Sequence, residues 1–188
     1  IADGFTRDTG HAGRLSFAGS GSVARQIMAG ANADVVVLAE PLWMDELQSR
    51  GLIQPPSRRD LLSNRLVVIA PADGAISETD LAQALDAMAV SGGRLAIGDP
   101  QSVPAGAYAR QMLIRTGQWQ GLTDHLVTAG DVRAVRTFVA RGEAALGIVY
   151  VTDTVGAGDV RIVARPPEAI HPDILYPAAL TTDATAGA

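Results

Sequence analysis

The sequence predicts an α/β protein with mostly parallel sheets flanked by helices, and three observations carry that expectation. Apolar runs of strand length alternate with amphipathic runs of helix length along the chain. Two of the apolar runs, Asp34–Ala39 (DVVVLA) and Leu66–Ala70 (LVVIA), are nearly continuous, as strands covered on both faces are. Gly30, Gly51, Pro55-Pro56 and Pro71 punctuate the runs. A length of 188 residues suits one large domain or two small lobes, and 47% hydrophobic residues suffice to bury a core. Aromatics make up only 4%, so Ala, Val, Leu and Ile do most of the packing.

Ile1–Asp8 reads as the end of a helix, because Ile1 and Phe5 stand four apart and Thr9-Gly10 stops the run. Leu15–Ala18 reads as a short strand that turns through Gly19-Ser20-Gly21-Ser22 into a helix, Val23–Ala29, closed by Gly30. After the DVVVLA strand, Pro41 opens a helix that reaches Ser49. Beyond LVVIA, Thr79–Met88 is helical, with Leu81, Leu85 and Met88 on one face. Arg94–Ile97 is a strand, Gly98–Pro104 a loop and Tyr108–Thr116 a helix. Leu126–Thr128 (strand), Val132–Arg141 (helix) and Ala145–Tyr150 (strand) continue the alternation. Val160–Val163 and Ala178–Leu180 are the last strands, and Thr181–Ala188 has no periodicity, so it is expected to be loose.

Several function classes are excluded or weakened. Net charge is −5, and the 15 basic residues are arginines scattered singly apart from Arg58-Arg59, so no nucleic-acid surface is expected. With no cysteine there is no disulfide framework, thiolate metal site or thiol nucleophile. No apolar stretch approaches the length of a membrane span. The chain opens on Ile1 with no Met and no visible signal peptide, as a processed N-terminus would. No G-x-S-x-G elbow marks Ser20 as a nucleophile, and no enzyme is expected. Glu40, Asp99 and Asp153 stand at strand ends, but three scattered carboxylates without His or a fixed spacing do not make a metal site. His11, His125 and His171 lie far apart in polar surroundings and read as surface residues, and Trp43 and Trp119 read as packing. Arg65 and Arg133 are expected either to brace a cleft or to sit in surface ion pairs.

Three loops share one design: each leaves a strand, passes small residues and enters a helix. They are Ala18–Ser22, Val103–Ala107 and Gly130–Arg133. The first N–H groups of a helix have no intrahelical partner, and together with the helix dipole they favour an anion. Gly19, Gly21 and Gly106 would let an oxyanion approach the backbone, while Ser20, Ser22 and Tyr150 add neutral donors. Taken singly, each piece has a plainer reading: Ser20 or Ser22 and Asp131 as N-caps, Pro104 as a helix start, Tyr150 as packing. A rival from another class uses the same turn. Gly19-Ser20-Gly21-Ser22-Val23-Ala24 fits G-x-G-x-x-A between a strand and a helix, with Glu40 about twenty residues on, as a dinucleotide-binding domain requires.

The segments Phe17–Ile27 (FAGSGSVARQI), Ala33–Leu47 (ADVVVLAEPLWMDEL), Arg58–Pro71, Gly93–Arg110 (GRLAIGDPQSVPAGAYAR), Asp131–Val135 (DVRAV) and Leu146–Asp153 (LGIVYVTD) resemble the periplasmic molybdate-binding protein family, ModA, of ABC importers. The likeness runs in order over nearly the whole chain, and GDPxxVPAGxYA is its most specific piece. It implies a two-lobed periplasmic binding protein type II fold with a hinge, residues 1–66 and 176–188 forming one lobe and 67–175 the other. It implies a molybdate or tungstate oxyanion held in the cleft by the Ser20 hydroxyl, the Ala105 and Val132 backbone N–H groups and the Tyr150 hydroxyl. No cofactor and no free metal cation is implied. The implied partners are an ABC permease and its ATPase, met from the periplasm by a monomeric protein that touches the membrane only through them. A regulatory module of the same fold would need a DNA-binding segment, which is not apparent here. Family members open with a central strand and a turn that carries a further ligand serine, and they run on into helices past the Tyr176–Leu180 strand. Neither feature has a counterpart here, so exposed strand edges and apolar faces are expected in the first lobe, or a remnant that does not bind.

Overall fold

The computed structural model describes residues 2–184, so the expectations for Ile1 and for residues 185–188 lie outside it. Helix α1 (Ala2–Thr9) leads into an irregular stretch and then α2 (Ser20–Met28). Strand β1 (Val35–Val37), helix α3 (Pro41–Ser49) and strand β2 (Arg59–Asn64) follow, and β8 (Ile174–Leu180) returns between the two strands, giving the order β1-β8-β2. The second sheet holds β3 (Leu66–Pro71), β4 (Leu95–Gly98), β5 (Leu126–Ala129), β6 (Leu146–Tyr150) and β7 (Val160–Ala164) in the order β5-β4-β6-β3-β7. Its helices are α4 (Leu81–Val90), α5 (Pro104–Arg115), the short α6 (Trp119–Leu122) and α7 (Val132–Ala140).

Alternation along β3 explains why the second sheet is covered on both faces. Leu66, Val68 and Ala70 pack with Leu81, Leu85 and Met88 of α4 and with Met112 and Leu113 of α5. Val67 and Ile69 point the other way, onto Val135 and Val139 of α7. The first sheet has its own cluster, in which Ala24, Ile27, Met44 and Leu47 of α2 and α3 cover Val36, Leu38 and Ala179. The chain passes between the sheets at Arg65, which joins β2 to β3, and again between β7 and β8.

The α/β expectation holds, but strand direction differs from it. Only β4 pairs in parallel, with β5 and with β6; β3 runs antiparallel to β6 and β7, and β8 antiparallel to β1 and β2. A continuous apolar run reports two covered faces and carries no information about direction. The DVVVLA segment also departs from a fully buried strand. Val36 and Leu38 are buried, whereas Val35 and Val37 are 59% and 49% exposed on the open face of an edge strand. Leu15–Ala18 forms no strand, and Leu15 and Phe17 are 55% and 72% exposed. That removes the dinucleotide reading, which needs a buried strand feeding the Gly-rich turn. The Arg59–Asn64 strand was not anticipated, since its RDLLSN sequence lacks both a run and a clean alternation. Thr181 is not loose: it is buried, its N–H donates to the Asp34 carbonyl at 3.1 Å and its hydroxyl to Ala33.

Candidate anion-binding site

One of the three helix starts, that of α2, meets the other two through its glycines. Gly19 caps α2, and a Cβ there would lie 3.2 Å from the Gly130 carbonyl oxygen, in the loop that opens α7. A Cβ on Gly21 would lie 2.5 Å from the Ser102 carbonyl oxygen and 2.8 Å from Trp43 Cζ2, against the loop that opens α5. The α2 start therefore touches both other loops, across the two sheets. A Cβ on Gly106 would overlap the Gly98 carbonyl at the end of β4. These glycines serve close approach of backbone to backbone, which corrects the expectation that they leave room for an anion.

The four candidate groups differ in how their hydrogen bonds are committed. Ser20, at the first position of α2, is buried and does not cap the helix; its Oγ accepts from the Ala39 N–H at 2.9 Å. An N–H can only donate, so the Ser20 hydroxyl keeps its own hydrogen for another acceptor. Ala105 is buried in the first turn of α5 behind Pro104, and Val132 is the first residue of α7 and half-buried. Among the described residues no carbonyl accepts from either of their N–H groups, as expected for helix starts. Asp131 is the predicted N-cap, accepting from the Ala134 N–H at 2.8 Å. Asp131→Ala is expected to lower unfolding stability by about 1 kcal/mol in a urea melt.

Tyr150 closes β6 at 4% exposure, and its hydroxyl is buried with no hydrogen-bond partner among the described residues. Burial pushes this phenol well above its ordinary range, and Tyr176, Tyr108 and Glu40 nearby push it the same way. It therefore stays protonated, as a donor. Ala105, Tyr108 and Tyr150 share one buried cluster, against which Ala39 and Val132 pack.

Nothing in the sequence marks Tyr108, Tyr176 and Glu40 as belonging together. Every tyrosine of the chain meets here, a concentration visible only once the sheets are assembled. Desolvation alone raises the Glu40 carboxyl, at the N-cap of α3. Asp99 and Asp153 spend their oxygens on loop geometry: Asp99 accepts from the Gln101 N–H and the Ser102 hydroxyl, both at 2.9 Å, and Asp153 from the Tyr150 N–H at 3.1 Å. Arg65 pairs with Glu168 at the surface, while the Arg133 guanidinium lies 5.6 Å from the centre of the Phe17 ring. His171 is buried, contrary to the surface reading, with Nδ1 2.8 Å from the Pro172 carbonyl. A cavity of about 590 Å³ opens beside Asn64, Arg65, Thr152, Arg165 and Glu168 and includes none of the four candidate groups. At about 30 Å³ per water it has room for roughly twenty, far more than a dry pocket for a five-atom anion needs.

The bacterial extracellular solute-binding protein family matches residues 1–188. The chain belongs to that family. Within it, the chain is 41% identical over 181 residues to the molybdate-binding protein ModA of Escherichia coli K12, covering 96% of this chain and 70% of that protein. It is 38% identical over 166 residues to ModA of Haemophilus influenzae, covering 88% and 65%. The periplasmic molybdate-binding protein of Azotobacter vinelandii superposes with a TM-score of 0.84 at 29% identity, over 98% of this chain and 80% of that one. The sulfate-binding protein SubI of Mycobacterium tuberculosis shares the fold at 15% identity and a TM-score of 0.72. These likenesses establish the type II binding-protein fold expected from the sequence.

Proposed function

We propose that this protein binds molybdate or tungstate in the cleft between two lobes and delivers it to an ABC-type importer. The observation that carries the reading is the Tyr150 hydroxyl, a donor buried without an acceptor among the described residues. Leaving a buried hydroxyl unpaired costs about 1–3 kcal/mol, which a bound anion would offset. The Ser20 hydroxyl and the N–H groups of Ala105 and Val132 complete a set of four donors, from three helix-start loops and a strand end, whose hydrogens have no acceptor among the described residues. Identities of 41% and 38% to molybdate-binding proteins support the choice of ligand.

Neutral donors suit this task. Hydrogen bonds to a charged acceptor are stronger than neutral ones, and no Arg has to be desolvated. The protein as a whole carries −5, so attraction has to come from local dipoles. Residues 1–66 with 176–188 would move as one lobe and 67–175 as the other; the pairing of β8 with β1 and β2 supports a division close to these bounds, with Ile174 and Leu175 on the side of the first sheet and Leu66 on that of the second. An ABC permease and its ATPase would receive the anion, and export to the periplasm would place the protein beside them. Binding and release make and break no covalent bond, so no catalytic group is assigned.

Molybdate and tungstate are expected to raise the melting temperature, because a ligand that binds only the native state stabilises it by about 2.7 kcal/mol at a hundredfold excess over its Kd. Phosphate is expected to leave it unchanged. Hydrogenphosphate carries an O–H that needs an acceptor, whereas the Ala105 and Val132 N–H groups can only donate and a hydroxyl that accepted it would no longer be turned to donate along that direction. A scan in which neither metal oxyanion shifts the transition, or in which phosphate shifts it equally, would overturn the reading.

A further inference from the structure

Among the described residues nothing holds the Tyr150 hydroxyl, so something else must fix its ring. The surroundings show what does. The chain crosses between the sheets at Arg65. Asn64, the last residue of β2, stands opposite Ile174, and Leu66, the first of β3, stands opposite Tyr150. Tyr176 is opposite Leu62 on β8. Two strand ends thus bring Tyr176 from one sheet against Tyr150 from the other, ring centres 6.0 Å apart and planes at 59°, a favourable tilted pair.

Asn64 holds Tyr176 in turn. Its Oδ1 accepts from the Arg65 N–H at 2.9 Å, and because an N–H can only donate, this contact fixes which end of the amide is which. Nδ2 then spends its two hydrogens on the Tyr176 hydroxyl and on Thr152 Oγ1, each at 2.8 Å. Thr152 lies two residues past Tyr150, and between them the Val151 N–H donates to the Arg65 carbonyl at 2.9 Å. The backbone just after Tyr150 and the ring packed against it are therefore both fastened to the crossing at residues 64 and 65.

We infer that Asn64 and Tyr176 are positioning residues for the Tyr150 phenol and set the affinity of the oxyanion site by holding that ring in place. The inference rests on the reading of Tyr150 as a ligand group. A donor contributes fully to binding only when its rotamer is locked before the ligand arrives, since otherwise ordering it subtracts from the affinity. Asn64 sits where the chain passes from one sheet to the other, so the strength of the grip on the anion is tied to the geometry of the lobe crossing.

The test is a double-mutant cycle read by calorimetric titration of molybdate into the 188-residue chain. Tyr176→Phe keeps the ring but removes the bond to Asn64, and it is expected to weaken molybdate binding about three- to tenfold, as loss of one neutral hydrogen bond would. Asn64→Ala is expected to do the same. In a Tyr150→Phe background both effects should shrink to less than about twofold, because the residues act through the Tyr150 hydroxyl. A purely structural role predicts a lower melting temperature with unaltered affinity, and independent action predicts equal losses in both backgrounds; either result overturns the inference. Should Asn64→Ala fail to fold, Tyr176→Phe alone completes the cycle. If Tyr150→Phe binds molybdate like the parent, the reading of the site fails. If it loses affinity while Tyr176→Phe does not, only the positioning role fails.

Discussion

Gly106→Ala is expected to destabilise the protein by about 3 kcal/mol, the upper end of over-packing penalties, seen as a lower urea midpoint with an unaltered slope. In an open helix the same substitution stabilises, because Ala is the better helix former by about 1 kcal/mol. The sign reverses here because the first turn of α5 is laid directly on the end of β4. A methyl group at residue 106 would overlap the Gly98 carbonyl and lie 3.0 Å from the Asp99 carbonyl carbon. Those atoms are backbone and cannot rotate aside. Gly98 is no freer, since a Cβ there would come 2.5 Å from Val103 Cγ1.

Gly121 in α6 is the control, having nothing within 4 Å of its added Cβ and an ordinary φ. Gly121→Ala should leave stability unchanged or raise it slightly. If Gly106→Ala proved as stable as Gly121→Ala, the close seating of α5 on β4 would be refuted. The direction of the Ala105 N–H, one residue before the contact, would then no longer be fixed by the sheet.

How far the sequence could be read depended on whether a feature was local. The Asp131 cap and the α3 bounds Pro41–Ser49 follow from residue chemistry within a turn, and the structure has them where the sequence put them, whereas α5 begins at Pro104, four residues before the Tyr108 start read from the sequence. The helix-start loops were legible for the same reason. Strand direction was not, because it depends on which strand comes to lie beside β3, and LVVIA is equally apolar in either orientation. Nor was the meeting of Tyr108, Tyr150 and Tyr176, separated by 42 and 26 positions and brought together only when β8 of one sheet returns beside the end of β6 in the other. Leu15–Ala18 misled because a short apolar run has no tertiary partner written into it.

Tyr150→Phe is expected to move stability and binding in opposite directions. In the ligand-free protein the hydroxyl is buried and has no partner among the described residues, so its removal relieves an unsatisfied group and should stabilise by about 1 kcal/mol. For a chain of this length that raises the melting temperature by roughly 2–4 °C. With molybdate present the same oxygen is the proposed donor, and losing a hydrogen bond to a charged acceptor costs about 1.5–3 kcal/mol, or roughly ten- to hundredfold in Kd. The ring stays, so its packing against Tyr176 is retained and neither change arises from a cavity. A residue kept only for packing would behave otherwise: its hydroxyl would have a partner in the folded chain, and its loss would lower the melting temperature without touching the affinity. A variant that is both more stable without the anion and weaker towards it identifies a group placed against folding and in favour of the ligand. A less stable variant with the parent's affinity would remove Tyr150 from the site.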